Sequence, residues 1–361
     1  MKIDYVHFYV DDTQKWRDWF STKMNFSTVA RGYNRHDCTE VIVNGNVVFV
    51  LSSPLTPASP VAKYLQLHPC GIADIAFTTS NLASAVQQAV NQGAKMLVAP
   101  QRETFPQGSI KWCQIASKSG LRHTLSQREG ITPIFPELGV KQVSNANLAE
   151  SNFTGIDHVV LNVAAGKLAE TVTWYNKALG FQPQQSFKIK TANSGLSSQV
   201  MVHPESGTKF PINEPASPNS QIQEFLDVNR GAGIQHIALQ TPQIVLTTAQ
   251  LREAGLTFLP VLESYYTQLA KRLPPLSLKE EEFAALKEQQ ILIDCQQKIN
   301  SQTSQPSPLL LQIFTQPVFN ELTFFFELIE RRDRAEGFGE GNFRALFEAM
   351  EQEQFKRGSL Y

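Results

Sequence analysis

Ile156-Asp157-His158-Val159-Val160-Leu161-Asn162-Val163 is a β-rich run that repeats an earlier one, Ile3-Asp4-Tyr5-Val6-His7-Phe8-Tyr9-Val10. A helical stretch with an aromatic pair at the same place follows each. The first copy has Trp19-Phe20 and then Met24-Asn25-Phe26; the second has Trp174-Tyr175 and then Leu179-Gly180-Phe181. Further out, Gly71-Ile72-Ala73-Asp74-Ile75-Ala76-Phe77 matches Gly233-Ile234-Gln235-His236-Ile237-Ala238-Leu239. Helical spacing closed by glycine comes next in both: Leu82, Val86, Ala89 and Val90 before Gly93, and Ile244, Thr248 and Leu251 before Gly255. The reading is an α+β chain of two similar halves, each with two copies of strand, helix and several strands.

Boundaries follow from composition. Gln127 to Ser151 is rich in Gly, Pro, Ser and Asn and reads as a linker, giving an N-terminal domain at 1–130, a linker at 131–152 and a C-terminal domain at 153–361. The second half carries an insertion, roughly Ser264 to Pro308, with a helical composition at 278–287 and a loop of Ser, Gln and Pro at 301–308. An amphipathic helix with Phe343, Leu346, Phe347 and Met350 on one face closes the chain.

The length of 361 residues suits two domains, and 42% hydrophobic against 18% charged residues supports a sizeable core and excludes wholesale disorder. With 32 Lys and Arg against 33 Asp and Glu, no basic excess exists to neutralise nucleic acid. Apolar runs such as Val47 to Leu51 are far too short to span a membrane, and the start, Met1-Lys2-Ile3-Asp4, lacks a signal-peptide core. Four scattered cysteines (Cys38, Cys70, Cys113, Cys295) argue for reduced thiols and a cytoplasmic protein.

Comparing the halves isolates candidate chemistry. Where the second half has His158 the first has Tyr5; where it has His236 the first has Asp74. Aligning the last strands sets Glu327, after three phenylalanines, opposite Thr124. Each of the three stands out in an apolar strand. A lone strand histidine is more often a satisfied core residue, and Glu327 could pair with an arginine such as Arg331. Three coincident placements favour a metal, because a divalent cation removes the cost of the buried carboxylate. Two imidazoles and a carboxylate form the facial set of non-haem Fe(II) oxygenases. His7, His36, His68, His123 and His203 are assigned to structure or surface. No Gly-x-Ser-x-Gly elbow occurs, and Gly337-Phe338-Gly339-Glu340-Gly341 lacks the strand and helix of a phosphate loop.

These residues, with Ser194-Gly195-Leu196-Ser197-Ser198, Pro211-Ile212-Asn213-Glu214-Pro215, Ser220-Gln221-Ile222-Gln223, Leu311-Gln312-Ile313-Phe314-Thr315 and Gly337 to Phe343, carry a resemblance. The chain resembles the 4-hydroxyphenylpyruvate dioxygenase family of the vicinal oxygen chelate superfamily over essentially its full length. The resemblance implies two tandem vicinal oxygen chelate domains, each of paired βαβββ modules forming an open barrel-like sheet. It makes His158, His236 and Glu327 ligands of one Fe(II) per subunit. Ser198, Asn213, Gln221, Gln235 and Gln312 match the polar residues of the family's pocket, and Phe314, Phe325, Phe338 and Phe343 its aromatic walls. Asn342 and Phe347 fall on or beside a terminal helix that gates the site. The implied partners are 4-hydroxyphenylpyruvate and dioxygen, converted to homogentisate and carbon dioxide, in a homo-oligomer.

The nearest rival is 4-hydroxymandelate synthase, which shares fold, ligands and substrate but departs at positions matching Pro211, Asn213 and Phe314; this sequence keeps the dioxygenase-type residues. An extradiol catechol dioxygenase fits the Ser-Gln-Ile-Gln and Leu-Gln-Ile-Phe segments poorly. A non-catalytic small-molecule-binding protein of the superfamily would not need three intact ligands.

Overall fold

The computed structural model describes residues 1–136, 141–142, 151–190, 194–272, 278–295, 308–319, 321, 323–343, 345 and 349–351. The first half runs β1 (Lys2–Tyr9), α1 (Thr13–Met24), β2 (Ser27–Tyr33), β3 (Asp37–Asn44), β4 (Val47–Pro54) and α2 (Pro60–Leu67). It continues with β5 (Gly71–Thr78), α3 (Leu82–Asn91), β6 (Lys95–Phe105), β7 (Gly108–Ala116), β8 (Arg122–Gly130) and a short β9 (Lys141–Gln142). The second half repeats the order as β10 (Gly155–Asn162), α4 (Leu168–Leu179), β11 (Gln182–Lys190), β12 (Gly195–Val202), β13 (Lys209–Pro215) and α5 (Gln221–Asn229). Then come β14 (Gly233–Gln240), α6 (Ile244–Glu253), α7 (Glu263–Arg272), α8 (Glu280–Glu288), β15 (Leu292–Cys295), β16 (Leu309–Phe314) and β17 (Phe325–Arg332).

Each half is one open, curled sheet of two βαβββ modules. The strand orders are β6-β7-β8-β5-β1-β4-β3-β2-β9 and β11-β12-β13-β10-β14-β17-β16-β15. The first strand of each module pairs parallel with its last, and the two modules join through an antiparallel pair, β1 with β5 or β10 with β14. Local chemistry sets the helix ends. The Asp12 side chain accepts from the Gln14 and Lys15 N–H groups to start α1, and Gly180, at φ 77°, ends α4.

Period-two alternation decides what each face of a strand does. Val6, Phe8, Phe49, Ile75 and Phe77 from the first sheet, with Val159, Leu161, Ile237, Phe326 and Leu328 from the second, belong to one continuous core. The Phe49 and Phe326 rings stack at 5.8 Å across the two halves, and buried His123 meets the Tyr175 hydroxyl at 2.9 Å. The alternate residues of the second sheet, His158, His236 and Glu327 among them, are left for the opposite face.

Three segments differ from the sequence expectation. The insertion is interrupted by a strand: β15 pairs with β16 and completes the fourth module, so the added material before it is α7 and α8. The segment 131–152 is more than a connection, since Phe135 is buried against Tyr5 and His7 and β9 pairs with β2. The terminal helix is present at 340–343 and 349–351, whereas Leu346, Phe347 and residues 301–307 lie outside the described residues. The four cysteines are free, and no helix among the described residues is long and apolar enough to cross a membrane.

Candidate metal centre and pocket

Register brings the three candidate ligands together. His158 on β10 pairs with Ala238 on β14, and Ala238 pairs with Glu327 on β17, so the imidazole and carboxylate flank one alanine on adjacent strands. His236 lies two residues along β14 and therefore on the same face. Buried Ala238, with only a methyl group, lets the His158 and Glu327 side chains approach over it. The ligand atoms of His158, His236 and Glu327 lie within 4.8 Å of one another. His158 Nε2 is 3.2 Å, and His236 Nε2 3.7 Å, from Glu327 Oε2.

The hydrogen bonds fix which atoms face inward. His158 Nδ1 lies 2.8 Å from Asp157 Oδ1, a partner that only accepts, so Nδ1 carries the proton and Nε2 presents its lone pair. The side-chain Oε1 of Gln235 accepts from His236 Nδ1 at 3.3 Å with the same effect. Gln312 Nε2 donates to Glu327 Oε1 at 2.9 Å, leaving Oε2 for the centre. Three electron-pair donors thus converge in a buried site, which is the donor set a divalent cation requires.

Burial and the two carboxylates act differently on the two imidazoles of the metal-free site. Burial drives His236 well below its ordinary pKa, and nearby His158 adds to that. Burial also opposes charge on His158, but Glu327 and Asp157 outweigh it and hold the imidazole above its usual range. Burial would raise Asp157 too, yet the bonds from Arg331 and His158 keep its carboxyl well below the normal carboxylate value.

The cavity over this centre encloses about 730 Å³ counted out to its open mouth. Its lining includes the three candidate ligands together with Ser198, Asn213, Gln221, Gln235, Gln312, Phe314, Phe325, Phe338, Asn342 and Phe343. Of the pocket residues that the resemblance implies, Phe347 lies outside the described residues. Additional walls come from Phe187, Ile189, Pro211 and Met350.

The polar residues divide into two groups. Gln312 is fully engaged: besides Glu327, its Nε2 donates to the Phe338 carbonyl at 3.0 Å and its Oε1 accepts from Asn342 Nδ2 at 3.0 Å. Asn342 accepts in turn from the Tyr265 hydroxyl at 2.8 Å. By contrast, Gln221 Oε1 is buried with no hydrogen-bond partner among the described residues, and Ser198 faces Asn213 across β12 and β13. Asn213 donates to Asn162 Oδ1 at 3.2 Å, which fixes its amide. Sequence reasoning missed Asp157 and Arg331, whose forked ion pair of 2.6 and 2.7 Å backs His158. Arg331 pairs with Asp157 and leaves Glu327 free for the centre. The Ile-Asp-His order was a signal, since a carboxylate beside a ligand histidine commonly orients it.

A family model for the glyoxalase/bleomycin resistance protein/dioxygenase superfamily matches residues 2–122 and 155–273. The 4-hydroxyphenylpyruvate dioxygenase of Yarrowia lipolytica is 36% identical, covering 99% of this chain and 93% of that protein. The enzyme of that name from Dictyostelium discoideum is 35% identical, over 99% of both chains. This chain belongs to the 4-hydroxyphenylpyruvate dioxygenase family. Among solved structures, a mutant of 4-hydroxymandelate synthase from Streptomyces coelicolor superimposes with a TM-score of 0.85 at 27% identity, over 98% of both chains. Membership of this family accounts for the duplicated modules, and among the described residues the possible metal site of His158, His236 and Glu327 lies in one of the two similar sheets.

Proposed function

We propose that the chain is an Fe(II)-dependent dioxygenase converting 4-hydroxyphenylpyruvate and O2 to homogentisate and CO2. The observation that carries this reading is the convergence of His158, His236 and Glu327 beneath an aromatic pocket with unengaged polar groups at its wall. Iron held by these three residues would supply dioxygen activation and the redox chemistry of decarboxylation and ring oxidation.

The chain's own residues do the rest. Phe314, Phe325, Phe338 and Phe343 form an apolar slot for a flat ring, consistent with orientation by shape. Asn213 pairs with Asn162, four residues along β10 from His158, or about 13 Å at the usual strand rise. A phenol carrying a three-carbon keto acid can lie along that distance, its hydroxyl toward Ser198, Asn213 and Gln221. Gln221 Oε1 is then the acceptor that a phenolic O–H satisfies. Gln235, Gln312 and Asn342 hold the ligands and the terminal segment, and Phe343 and Met350 exclude water from above. In this reading 1–130 is a non-catalytic domain, 131–152 a connection and 153–361 the catalytic domain with its gate.

The likeness to hydroxymandelate synthase supports a second reading, in which the same substrate is oxidised at the benzylic carbon. Pro211, Asn213 and Phe314 line the pocket and favour ring attack. The test is anaerobic Fe(II) loading, oxygen uptake with 4-hydroxyphenylpyruvate and identification of the product. Homogentisate with one O2 consumed per substrate is expected. Hydroxymandelate would transfer the assignment to the second reading, and absence of iron binding would remove both.

A further inference from the structure

Two of the candidate ligands are tied to one short stretch of chain. Arg331 lies four residues beyond Glu327 on β17 and is nearly buried. Its Nε and Nη2 fork onto Asp157 at 2.6 and 2.7 Å, and Asp157 accepts from His158 Nδ1 at 2.8 Å. Its remaining nitrogen, Nη1, donates to the carbonyls of Ala335 and Gly337 at 3.1 and 3.0 Å. Lys209 Nζ is also 3.3 Å from Asp157, but as a point charge it has no fork to set the carboxylate's plane.

The same stretch reaches Glu327 from the other side. Gln312 bonds both Glu327 and the Phe338 carbonyl, and Gly339 lies so close that an added Cβ would sit 1.9 Å from Gln312 Oε1. Between these two anchors the Phe338 ring packs edge-on against His158, with ring centres 5.2 Å apart. Residues 335–339 are therefore bonded to groups that orient His158 and Glu327, with Arg331 as the shared fixture.

Resting on the reading of His158, His236 and Glu327 as a metal centre, we propose that Arg331 and Asp157 are positioning residues. They hold His158 in its metal-binding orientation and, through the Arg331 bonds to 335 and 337, couple metal binding to the seating of the segment that roofs the pocket. Coupling is reciprocal: whatever the seated segment adds to metal affinity, bound metal adds to the seating. Removing a carboxylate or donor behind a ligand histidine typically costs roughly 10–100-fold in metal affinity.

The test measures Co(II) affinity by competition with a chelator, together with hydrogen exchange over 335–343 with and without Co(II). Three proteins are compared: the unaltered chain, Arg331→Met and Asp157→Asn. Circular dichroism and Tm establish that the variants fold. In the unaltered chain Co(II) is expected to slow exchange at 335–343. Arg331→Met should lose about 10–100-fold in affinity, exchange faster at 335–343 even without metal, and show no slowing on adding it. Asp157→Asn keeps the Arg331 bonds to the turn, so it should lose affinity while its metal-free exchange stays close to that of the unaltered chain. That split separates positioning from general loosening. Affinities of both variants within twofold of the unaltered chain would overturn the positioning role alone. No Co(II) binding by the unaltered chain would overturn the metal centre and the positioning with it.

Discussion

Tyr5, Asp74 and Thr124 in the first half stand at the sheet positions of His158, His236 and Glu327 in the second. Tyr5 pairs with Ala76 as His158 pairs with Ala238, and the β5–β8 register, with Asp74 opposite Arg122 and Phe77 opposite Leu125, sets Ala76 beside Thr124. In the first half protein donors meet the buried carboxylate of Asp74. Asp74 accepts from the Thr124 N–H at 2.9 Å, from Thr124 Oγ1 at 2.6 Å and from Gln114 Nε2 at 2.9 Å. Phe135 from the connecting segment packs on Tyr5 and His7 and fills the space above. In the second half one oxygen of Glu327 faces two imidazole nitrogens, and the space above is a cavity. One backbone register thus serves as a sealed core or an open site, depending on whether the carboxylate is surrounded by fixed protein donors or faces two imidazole nitrogens beneath a cavity.

The sharpest way to break this comparison is Glu327→Gln. Loss of one anionic ligand should abolish tight metal binding and lower turnover on the order of 10³-fold or more. The metal-free protein should be less stable in urea, because the buried His158 imidazole loses the carboxylate that helps to hold its proton. A variant that keeps its metal would return Glu327 to an ordinary core residue.

Phe135→Ala attacks the other half. Truncating a buried phenylalanine costs about 3–5 kcal/mol, measurable by urea denaturation, and should leave turnover per folded molecule unchanged. A drop in turnover would show that the first sheet acts on the site through more than the shared core.

Why Phe135 escaped the sequence reading is instructive. It sits in a stretch rich in Gly, Pro, Ser and Asn, and composition reports only the average of a segment. The modules were legible because period-two alternation and the repeated aromatic pair recur along the chain, and the candidate ligands because each breaks an apolar strand that its counterpart does not break alike. β15 was hidden by its four residues, Leu292–Cys295, inside the stretch from 264 to 308 that reads as an insertion. Asp157 and Arg331 were invisible as partners because 174 residues separate them and neither is unusual in its own strand. Periodicity reveals faces; it does not reveal which side chains meet across them.

Asp74→Ala sharpens the comparison from the polar side. It strands the Thr124 N–H, the Thr124 hydroxyl and the Gln114 amide in a buried place, at a cost of about 2–4 kcal/mol. Metal affinity should not change. Equal stability would mean that the first sheet does not depend on this network, and its closed state would then rest on Phe135 and Tyr5.

The smallest effect concerns His7, whose counterpart in the second half is Val160: His7 pairs with Asp74 as Val160 pairs with His236. His7 is buried, bonds Ser52 Oγ at 2.7 Å, and has its pKa lowered to about 3, first by burial and then by Arg122. The folded state therefore resists a proton that the unfolded chain accepts near its ordinary value of 6.5. Stability linked to His7 is complete above pH 6.5 and falls as the pH drops toward 3, since only the unfolded chain gains the proton in that window. Between pH 7 and pH 5 the loss amounts to about 2 kcal/mol. His7→Val, which gives the first half the second half's residue, should remove that share of the pH dependence. Ser52 keeps a partner in Thr39 at 2.6 Å, so the variant leaves no orphaned hydroxyl. Urea denaturation of both proteins at pH 7 and pH 5 decides the matter: equal slopes would mean that His7 takes up its proton in the folded state, and that the first sheet is less sealed than its packing indicates.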